Sequence, residues 1–282
     1  MSHEFNNPAR RPRVGLALSG GAARGAAHVG VLKALAAHNV PVDCVAGTSA
    51  GALAGGAFAA GMPLAEIEAF ARRMRWRDFG RLTLSRLGVQ SNARMEEYVR
   101  AQFPATRFED LRLPFAAVAT DLATGRAVVF RDRGDVAFAI RASCAVPGWY
   151  VPVADEGGRQ LVDGGLVTIL PVAAARALGA DVVVAVDVNC EGAKFLGAPR
   201  SAVGIIFQSM IHAQRSATER ELREADVCVL PKVGHIRWDE MARAGEMIEA
   251  GEAAALEALP QIERLLGAAH APRAARASHG DD

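Results

Sequence analysis

Residues 14–30 read VGLALSGGAARGAAHVG. The run at the start is apolar and unbroken, which is typical of a strand covered on both faces. Two glycines follow, and from Arg24 to His38 the apolar residues Val29, Leu32 and Leu35 recur at helical spacing. This order of strand, glycine-rich turn and helix predicts the first unit of an α/β fold.

The same alternation of short apolar runs and longer helical patterns continues along the chain. It predicts strands at residues 42–46, 115–120, 127–130 and 182–188, and helices from residue 50 and at residues 93–102, 171–178, 202–224 and 240–266. The Val-rich run at 182–188 is typical of a central strand. We therefore expect an α/β fold with a mostly parallel central sheet.

The ends of the chain differ in composition from the rest. Residues 1–12 are polar and basic and lack the apolar run of a secretory signal. Residues 268–282 are low in bulky apolar side chains. We predict a disordered leader and a disordered tail around one domain at residues 13–267.

Composition excludes some classes of protein. Lys and Arg number 32 against 31 Asp and Glu, so a net charge of +1 gives no field for binding nucleic acid. Cys44, Cys144, Cys190 and Cys228 lack metal-binding spacing, which favours a reduced, cytoplasmic protein without a metal. Residues 44–65 carry no charge but contain five glycines, so they are a weak candidate for a membrane span.

A GxSxG motif lies between a predicted strand and a predicted helix, at Gly47-Thr48-Ser49-Ala50-Gly51. A sharp turn at this place exposes the serine hydroxyl beside a helix N-terminus, which suits a nucleophile. Gly47 and Gly51 allow the backbone to turn in that way. The alternative is a glycine-rich turn with no catalytic role.

The glycine-rich turn after the first strand has competing interpretations. It offers consecutive backbone N–H groups, those of Gly20, Gly21, Ala22 and Ala23. A P-loop is excluded because no Gly-Lys-Ser/Thr follows, and a dinucleotide site is weak because Ala22 occupies the middle glycine position and Asp43 begins the next strand. An oxyanion hole fits better, since it needs only backbone donors. Arg24 supports this loop or caps the helix after it.

A serine nucleophile needs a base. The late histidines His212 and His235 have no telling neighbourhood, and His28 is most simply a packing residue. Asp163 ends a predicted strand and precedes two glycines. A strand-end Asp in that setting is also a common turn former, so the residues alone leave its role open.

Three motifs, in this order, resemble the bacterial patatin-like phospholipase family, which is related to the catalytic domain of neuropathy target esterase. They are SGGAARGAAHVG at 19–30, GTSAG at 47–51 and DGG at 163–165. Two further blocks, ATDLATG at 119–125 and ASCAVPG at 142–148, also resemble that family. The resemblance covers about residues 13 to 190.

The resemblance implies a three-layer α/β/α sandwich and a serine lipid acyl hydrolase that uses a Ser–Asp dyad and no cofactor. Ser49 would be the nucleophile, Asp163 the general base, and the amides of Gly20 to Ala23 the oxyanion hole. The substrate would be a lipid or lysophospholipid ester. The supporting residues would be Arg24, Gly25, Gly47, Gly51, Gly164 and Gly165.

Two positions depart from the family pattern. Ala22 stands where the family usually has Gly, and Thr168 where Asn is common. If position 22 requires a positive φ, we expect Ala to cost about 1 kcal/mol and to lower turnover.

A basic segment at residues 72–86 interleaves arginines with apolar side chains. Such a surface suits peripheral contact with an anionic membrane. The residues that would make this contact are Arg72, Arg73, Arg75, Trp76 and Arg77. The alternative is a partly solvated helix end and loop that covers an acyl pocket.

Two other functions stay open at this point. One is a weakly active member of the family that acts as a regulatory or interaction module, which Ala22 favours. The other is a nucleotide-binding protein that uses the glycine loop, for which Ser49 would be irrelevant.

Overall fold

The computed structural model of the chain describes residues 11–191 and 202–268. The predicted leader lies outside these ranges except for its last two residues, and the predicted tail lies outside them except for its first. Both therefore stay predictions.

The described residues form strands and helices in alternation. The strands are β1 Val14–Leu18, β2 Cys44–Thr48, β3 Arg81–Leu82, β4 Gly88–Ser91, β5 Phe115–Asp121, β6 Arg126–Arg131, β7 Gly148–Tyr150, β8 Val153–Ala154, β9 Gln160–Asp163, β10 Val182–Val186 and β11 Val227–Val229. The helices are α1 Ala27–Ala37, α2 Ala50–Ala59, α3 Leu64–Arg73, α4 Ala93–Gln102, α5 Val136–Ser143, α6 Val172–Ala177, α7 Ala202–Glu224 and α8 Ala244–Ala268. None of these helices is both long and apolar enough to cross a bilayer.

The central sheet has the order β11-β10-β1-β2-β5-β9-β8, and β6 also pairs with β5. The neighbouring strands from β11 to β5 run parallel. Strands β6, β9 and β8 join in antiparallel pairs. The predicted α/β fold with a parallel centre is confirmed, and the antiparallel strands on one side make the sheet mixed.

Helices cover both faces of this sheet. Along β1, Leu16 and Leu18 pack into a large core that also contains residues of α1, α2 and α8. Ala17 faces the other way, into a smaller core with α6 and Leu222 of α7. Successive side chains of a strand point to opposite faces, so a fully buried strand such as β1 needs cover on both. The result is the expected three-layer arrangement.

One edge of β5 brings two chain segments together. β2 pairs in parallel with the first part of this edge, where Thr48 lies opposite Val118. β9 pairs antiparallel with the next part, where Asp163 lies opposite Ala119. The end of β2 and the end of β9 therefore meet at adjacent positions on β5.

Several predicted bounds differ from the observed ones. The second strand begins at Cys44 rather than at residue 42. Asp43, just before it, binds the start of β1 with its backbone N–H, which donates to Val14 O at 2.7 Å, and with its side chain, which accepts the Val14 N–H at 2.7 Å. The first helix begins at Ala27, because residues 22–26 form a tighter 3₁₀ turn. The helices α3 and α5 and the strands β3, β4, β7, β8 and β11 were not predicted from the sequence.

Candidate active site

Ser49 occupies a strained turn between β2 and α2. Its φ and ψ are 53° and −120°, a conformation that costs a non-glycine residue about 1–3 kcal/mol. The side chain lies directly before the first residue of α2, where the helix dipole favours negative charge. This is the backbone geometry expected of a nucleophile turn. Ser49 is 9% accessible to solvent.

Ser143, at the end of α5, holds this turn in place. The Ser49 N–H donates to the Ser143 hydroxyl oxygen at 2.8 Å, and the Ser143 hydroxyl donates to the Val118 carbonyl at 2.6 Å. The strained peptide is thereby fixed to the neighbouring strand β5. Sequence analysis did not assign a role to Ser143, although it lies in the ASCAVPG block.

Asp163 lies beside Ser49 and is only 6% exposed. Its backbone N–H donates to Ala145 O at 2.9 Å, and its Oδ1 accepts the Gly165 N–H at 2.8 Å. The Ser49 side chain lines the same cleft and acts to lower the pKa of this carboxylate. The structure thus brings together the two residues that sequence analysis singled out as nucleophile and base.

The environment of Asp163 makes it a stronger base than an ordinary carboxylate. Burial raises the pKa of Asp163 to about 6, and this effect outweighs the opposing effects of the Ser49 side chain and of the Gly165 N–H. A general base works best when its pKa is close to the working pH. The raised pKa makes Asp163 a stronger base than a carboxylate with the ordinary pKa of about 3.9.

Cys144 is the other nucleophilic side chain next to Ser49. Burial, together with the charge of Asp163, raises the pKa of the Cys144 thiol well above its ordinary value. A neutral thiol is a poor nucleophile, so Cys144 serves as packing. Among the described residues, no group of three or more His, Cys, Asp and Glu side chains is placed to hold a metal ion.

The glycine loop offers fewer free amides than its sequence suggests. The Gly20 N–H donates to Ile169 O at 3.0 Å, and the Ala23 N–H donates to Trp238 O at 2.9 Å. Within the described ranges, the N–H groups of Gly21 and Ala22 have no protein acceptor, and both residues line the same cleft as Ser49. The predicted set of four amides is therefore corrected to two candidates, because the fold itself uses the other two.

Ala22 does adopt the positive φ that glycine tolerates better. Its φ is 51°, which costs an L-residue about 1 kcal/mol relative to glycine. The expected strain at this departure from the family pattern is therefore present. Its effect on turnover stays a prediction.

Two side chains hold the glycine loop from the far side. Arg24 is 5% exposed, and its guanidinium donates to Ile236 O at 2.8 Å and to Gly234 O at 3.3 Å. Asn189 donates from Nδ2 to Gly20 O at 2.6 Å. Arg24 therefore anchors the start of the helix after the loop to residues 234–236, whereas no sequence signal predicted the contact of Asn189.

The supporting glycines allow the loop and the nucleophile turn to approach each other closely. A Cβ on Gly25 would lie 2.4 Å from Ala50 Cβ, and one on Gly51 would lie 2.2 Å from the Leu18 carbonyl oxygen. Added Cβ atoms would also collide with backbone or side-chain atoms at the remaining predicted positions, Gly47, Gly164 and Gly165. Close packing at these glycines therefore shapes the site.

Gly51→Ala is expected to lower the free energy of unfolding by about 2–4 kcal/mol, because the new methyl group would collide with backbone that cannot move independently. Gly267→Ala is the matched control, since Gly267 also lies in a helix but has nothing within 4 Å of an added Cβ. That control should be neutral or up to about 1 kcal/mol more stable. Urea unfolding of both variants measures the difference, and equal midpoints would contradict the packing argument.

Ser49 and Asp163 open into a cleft of about 260 Å³. Its lining includes the apolar residues Val146, Leu166, Ile169, Leu222, Leu230 and Trp238. Helix α7 forms one wall and contributes His212, Arg215 and Glu219. The cleft is therefore mostly apolar around the reacting groups, with polar side chains on one wall.

The histidines lie away from the dyad or make other contacts. His28 is buried, and its ring Nε2 lies 2.8 Å from Ser19 O. Burial lowers the pKa of His28 to about 4, so it is neutral. His212 stands exposed on the cleft wall, and His235 pairs with Glu246 on the surface. In the described part of the chain, no histidine hydrogen-bonds to Ser49.

The five residues predicted to touch a membrane have different environments. Arg72 pairs with Glu68 at 2.8 Å, and the Trp76 indole N–H donates to Asp239 O at 2.9 Å. Arg73, Arg75 and Arg77 are exposed. The Arg75 guanidinium donates to Met74 O at 2.9 Å and to Arg72 O at 3.3 Å, and Arg77 Nε lies 4.0 Å from Asp78 Oδ1. Four of the five therefore already have partners within the fold.

Comparisons with known proteins identify the family. The patatin-like phospholipase family model matches residues 16–176, which is more than half of the chain. An uncharacterized NTE family protein of Mycobacterium bovis is 40% identical over 181 residues, which are 63% of this chain and 49% of that protein. The lysophospholipase nte1 of Emericella nidulans is 38% identical over 195 residues, 66% of this chain and 13% of that protein.

The fold has a counterpart among solved structures. The crystal structure of VipD from Legionella pneumophila superposes with a TM-score of 0.59 at 14% identity, and the match covers 90% of this chain and 67% of that one. This likeness concerns the fold alone. The chain spans about half the length of the Mycobacterium bovis relative. With its three motifs placed around one cleft, the chain belongs to the patatin-like phospholipase family.

Proposed function

We propose that the protein is a serine lipid acyl hydrolase of the phospholipase A or lysophospholipase type. The observation that carries this proposal is that Ser49, in its strained turn before α2, lines the same cleft as the buried Asp163 carboxylate. The apolar lining of the cleft suits an acyl chain. The similarity to a protein named lysophospholipase supports the same class of substrate.

The first half of the reaction forms an acyl-enzyme. The Ser49 oxygen attacks the ester carbonyl carbon while its proton passes to Asp163. Negative charge develops on the carbonyl oxygen, and the N–H groups of Gly21 and Ala22 are the donors available to stabilise it. When the tetrahedral intermediate collapses, the C–O bond to the alcohol breaks and Asp163 returns the proton to the departing oxygen.

The second half releases the fatty acid. Asp163 takes a proton from a water molecule as the water oxygen attacks the acyl carbonyl carbon. The bond to Ser49 then breaks, and the proton passes from Asp163 back to the Ser49 oxygen. Both residues end in their starting states, so this cycle is complete without a metal or an organic cofactor.

Labelling by an active-site-directed organophosphonate tests the proposal. We expect one covalent adduct on Ser49 in the wild type and none in Ser49→Ala, as read by intact mass and peptide mapping. Because Asp163 must be ionised to act as a base and burial raises its pKa to about 6, the labelling rate should rise about tenfold per pH unit below that value and level off above it.

Two results would contradict the proposal. One is an adduct on another residue at the same rate in both proteins. The other is no adduct at any pH, together with no ester hydrolysis by correctly folded protein, which would favour the regulatory or interaction module suggested by Ala22. Nucleotide binding finds less support, because the fold already uses the amides of Gly20 and Ala23.

A further inference from the structure

A small hairpin beside the site exposes an unusual amount of apolar surface. It consists of β3, β4 and the turn between them, and it pairs with β7 in a separate three-stranded sheet. Leu82 is 76% exposed, Leu84 is fully exposed, Leu87 is 57% exposed and Val89 is 50% exposed. Single exposed leucines are common, but a cluster of this kind marks an interaction site.

The apolar side chains lie on both faces of the hairpin. Leu82 pairs with Gln90, so these two side chains share a face. Val89 precedes Gln90 and therefore points to the opposite face. Val89 also lies next to Trp149 of β7, because the residues on either side of them pair in register. The hairpin thus projects from the body of the protein with apolar groups on both sides.

We infer that the tip of this hairpin, residues 82–89, inserts into the surface of an anionic lipid layer. A globular partner or a second copy of the chain would cover one face of the hairpin and leave the other face exposed. A lipid layer surrounds an inserted tip and removes both faces from water. The apolar groups on both faces therefore favour a lipid surface as the occupant.

Charge around the tip is complementary to anionic headgroups. The exposed arginines next to the apolar cluster are Arg75, Arg77, Arg81 and Arg86. Asp78 is the one acidic residue in the stretch 74–94, and its carboxylate already accepts the Arg75 backbone N–H at 2.9 Å. Basic side chains beside an apolar insertion favour anionic over neutral lipid.

The hairpin is connected to the cleft by aromatic side chains. Trp149 on β7 is 36% exposed, and its ring centroid lies 6.2 Å from that of Trp238. Trp238 lines the cleft that contains Ser49 and Asp163. An inserted tip would therefore bring the cleft close to the lipid surface. The inferred insertion rests on the proposed function, because it would present a lipid substrate to the cleft.

Sedimentation with lipid vesicles tests the inference in a Ser49→Ala background, which prevents hydrolysis of the vesicles. Leu84→Ser/Leu87→Ser changes the tip, and Leu122→Ser/Leu256→Ser is the matched control on exposed leucines elsewhere. On vesicles of phosphatidylglycerol and phosphatidylcholine, the tip variant should bind at least about tenfold more weakly than the control. Binding should also fall with added salt and on vesicles of phosphatidylcholine alone.

Equal binding by the tip variant and the control would overturn the inference, and so would absence of binding by the parent protein. A dimer that is lost only in the tip variant, as measured by sedimentation velocity, would identify a second copy as the occupant and would also overturn it. Hydrolysis of a soluble short-chain ester, with Ser49 intact, should be equal in both double variants. If the protein does not hydrolyse the ester but its binding to vesicles still depends on the tip, the proposed function is rejected and the inferred lipid contact is retained.

Discussion

Asp163→Asn is expected to lower kcat/KM for a soluble short-chain ester by about 1,000-fold or more. The amide keeps the shape of the side chain and an acceptor oxygen for the Gly165 N–H, which lies 2.8 Å from Oδ1. It cannot take up the Ser49 proton, so neither acylation nor deacylation has a base. Initial rates with a p-nitrophenyl ester at about pH 8 measure the effect.

The same substitution should not unfold the protein. Burial raises the pKa of Asp163 to about 6 in the folded state, above the value of about 3.9 in an unfolded chain. The folded state therefore binds more protons between these two values, and stability falls as pH rises through this window. An uncharged Asn avoids that loss, so at about pH 8 the free energy of unfolding should rise by up to about 3 kcal/mol.

This pairing of lost activity with retained or increased stability separates a catalytic from a structural role. A variant that is both inactive and less stable than the wild type would indicate that Asp163 chiefly holds the turn before Gly164. Ser49→Ala provides the comparison. If the two residues act as one unit, the double variant should be no slower than the slower single variant, whereas multiplied losses would indicate independent roles.

The candidate nucleophile Ser49 could be predicted because its signals are local. A nucleophile turn needs glycines within two residues of the serine, and Gly47 and Gly51 supply them. The alternation of short apolar runs with longer helical patterns likewise predicts the parallel centre of the sheet. What sequence spacing could not give is the meeting of β2 and β9 on one edge of β5. The resemblance to a family supplied that link.

Other features depend on partners far apart in the chain. Gly20 and Ala23 lose their free N–H groups to Ile169 and Trp238, which lie more than 140 residues away. Ser143 holds the Ser49 turn from a helix that sequence analysis did not identify. The start of that helix could have been predicted from Asp135, a residue type that favours the N-cap position. The Asp135 side chain accepts the N–H groups of the second and third residues of the helix.

The hairpin beside the site was also only partly predictable. The sequence shows that residues 72–86 are basic and interleaved with apolar side chains, and it predicts a membrane contact at residues 72–77, whereas the exposed apolar cluster lies at residues 82–89. Arg72 and Trp76 turned out to pair with Glu68 and Asp239. A pattern of charges along the chain cannot show which of them the fold will use internally.

Asn189→Ala is the second large effect we expect, a fall in kcat of about 100-fold with little change in KM. The Gly20 carbonyl accepts the Asn189 Nδ2 at 2.6 Å. A trans peptide is planar, so its carbonyl and N–H point in opposite directions. Holding the Gly20 carbonyl on one side therefore aims the Gly21 N–H to the other side. Loss of one oxyanion donor typically lowers kcat by about 100-fold to 1,000-fold.

His212→Ala is the matched control, because His212 lines the same cleft, is exposed, and makes no hydrogen bond to the glycine loop among the described residues. The His212→Ala substitution should change kcat by less than about threefold. A larger loss would indicate that His212 acts as the general base. Asn189→Gln, which retains the amide donor, should recover part of the activity.

The ratio of the two kinetic constants decides how Asn189 acts. A group that contacts the substrate in the ground state would raise KM when removed, whereas a group that aims a transition-state donor lowers kcat alone. The backbone N–H of Asn189 donates to Asp187 Oδ1 at 2.9 Å, a bond that the substitution keeps, so the segment after β10 should stay in place. A fall in kcat without a rise in KM would show that the glycine loop needs this clamp, and unchanged kcat would show that the strained backbone at Ala22 fixes the amides without it.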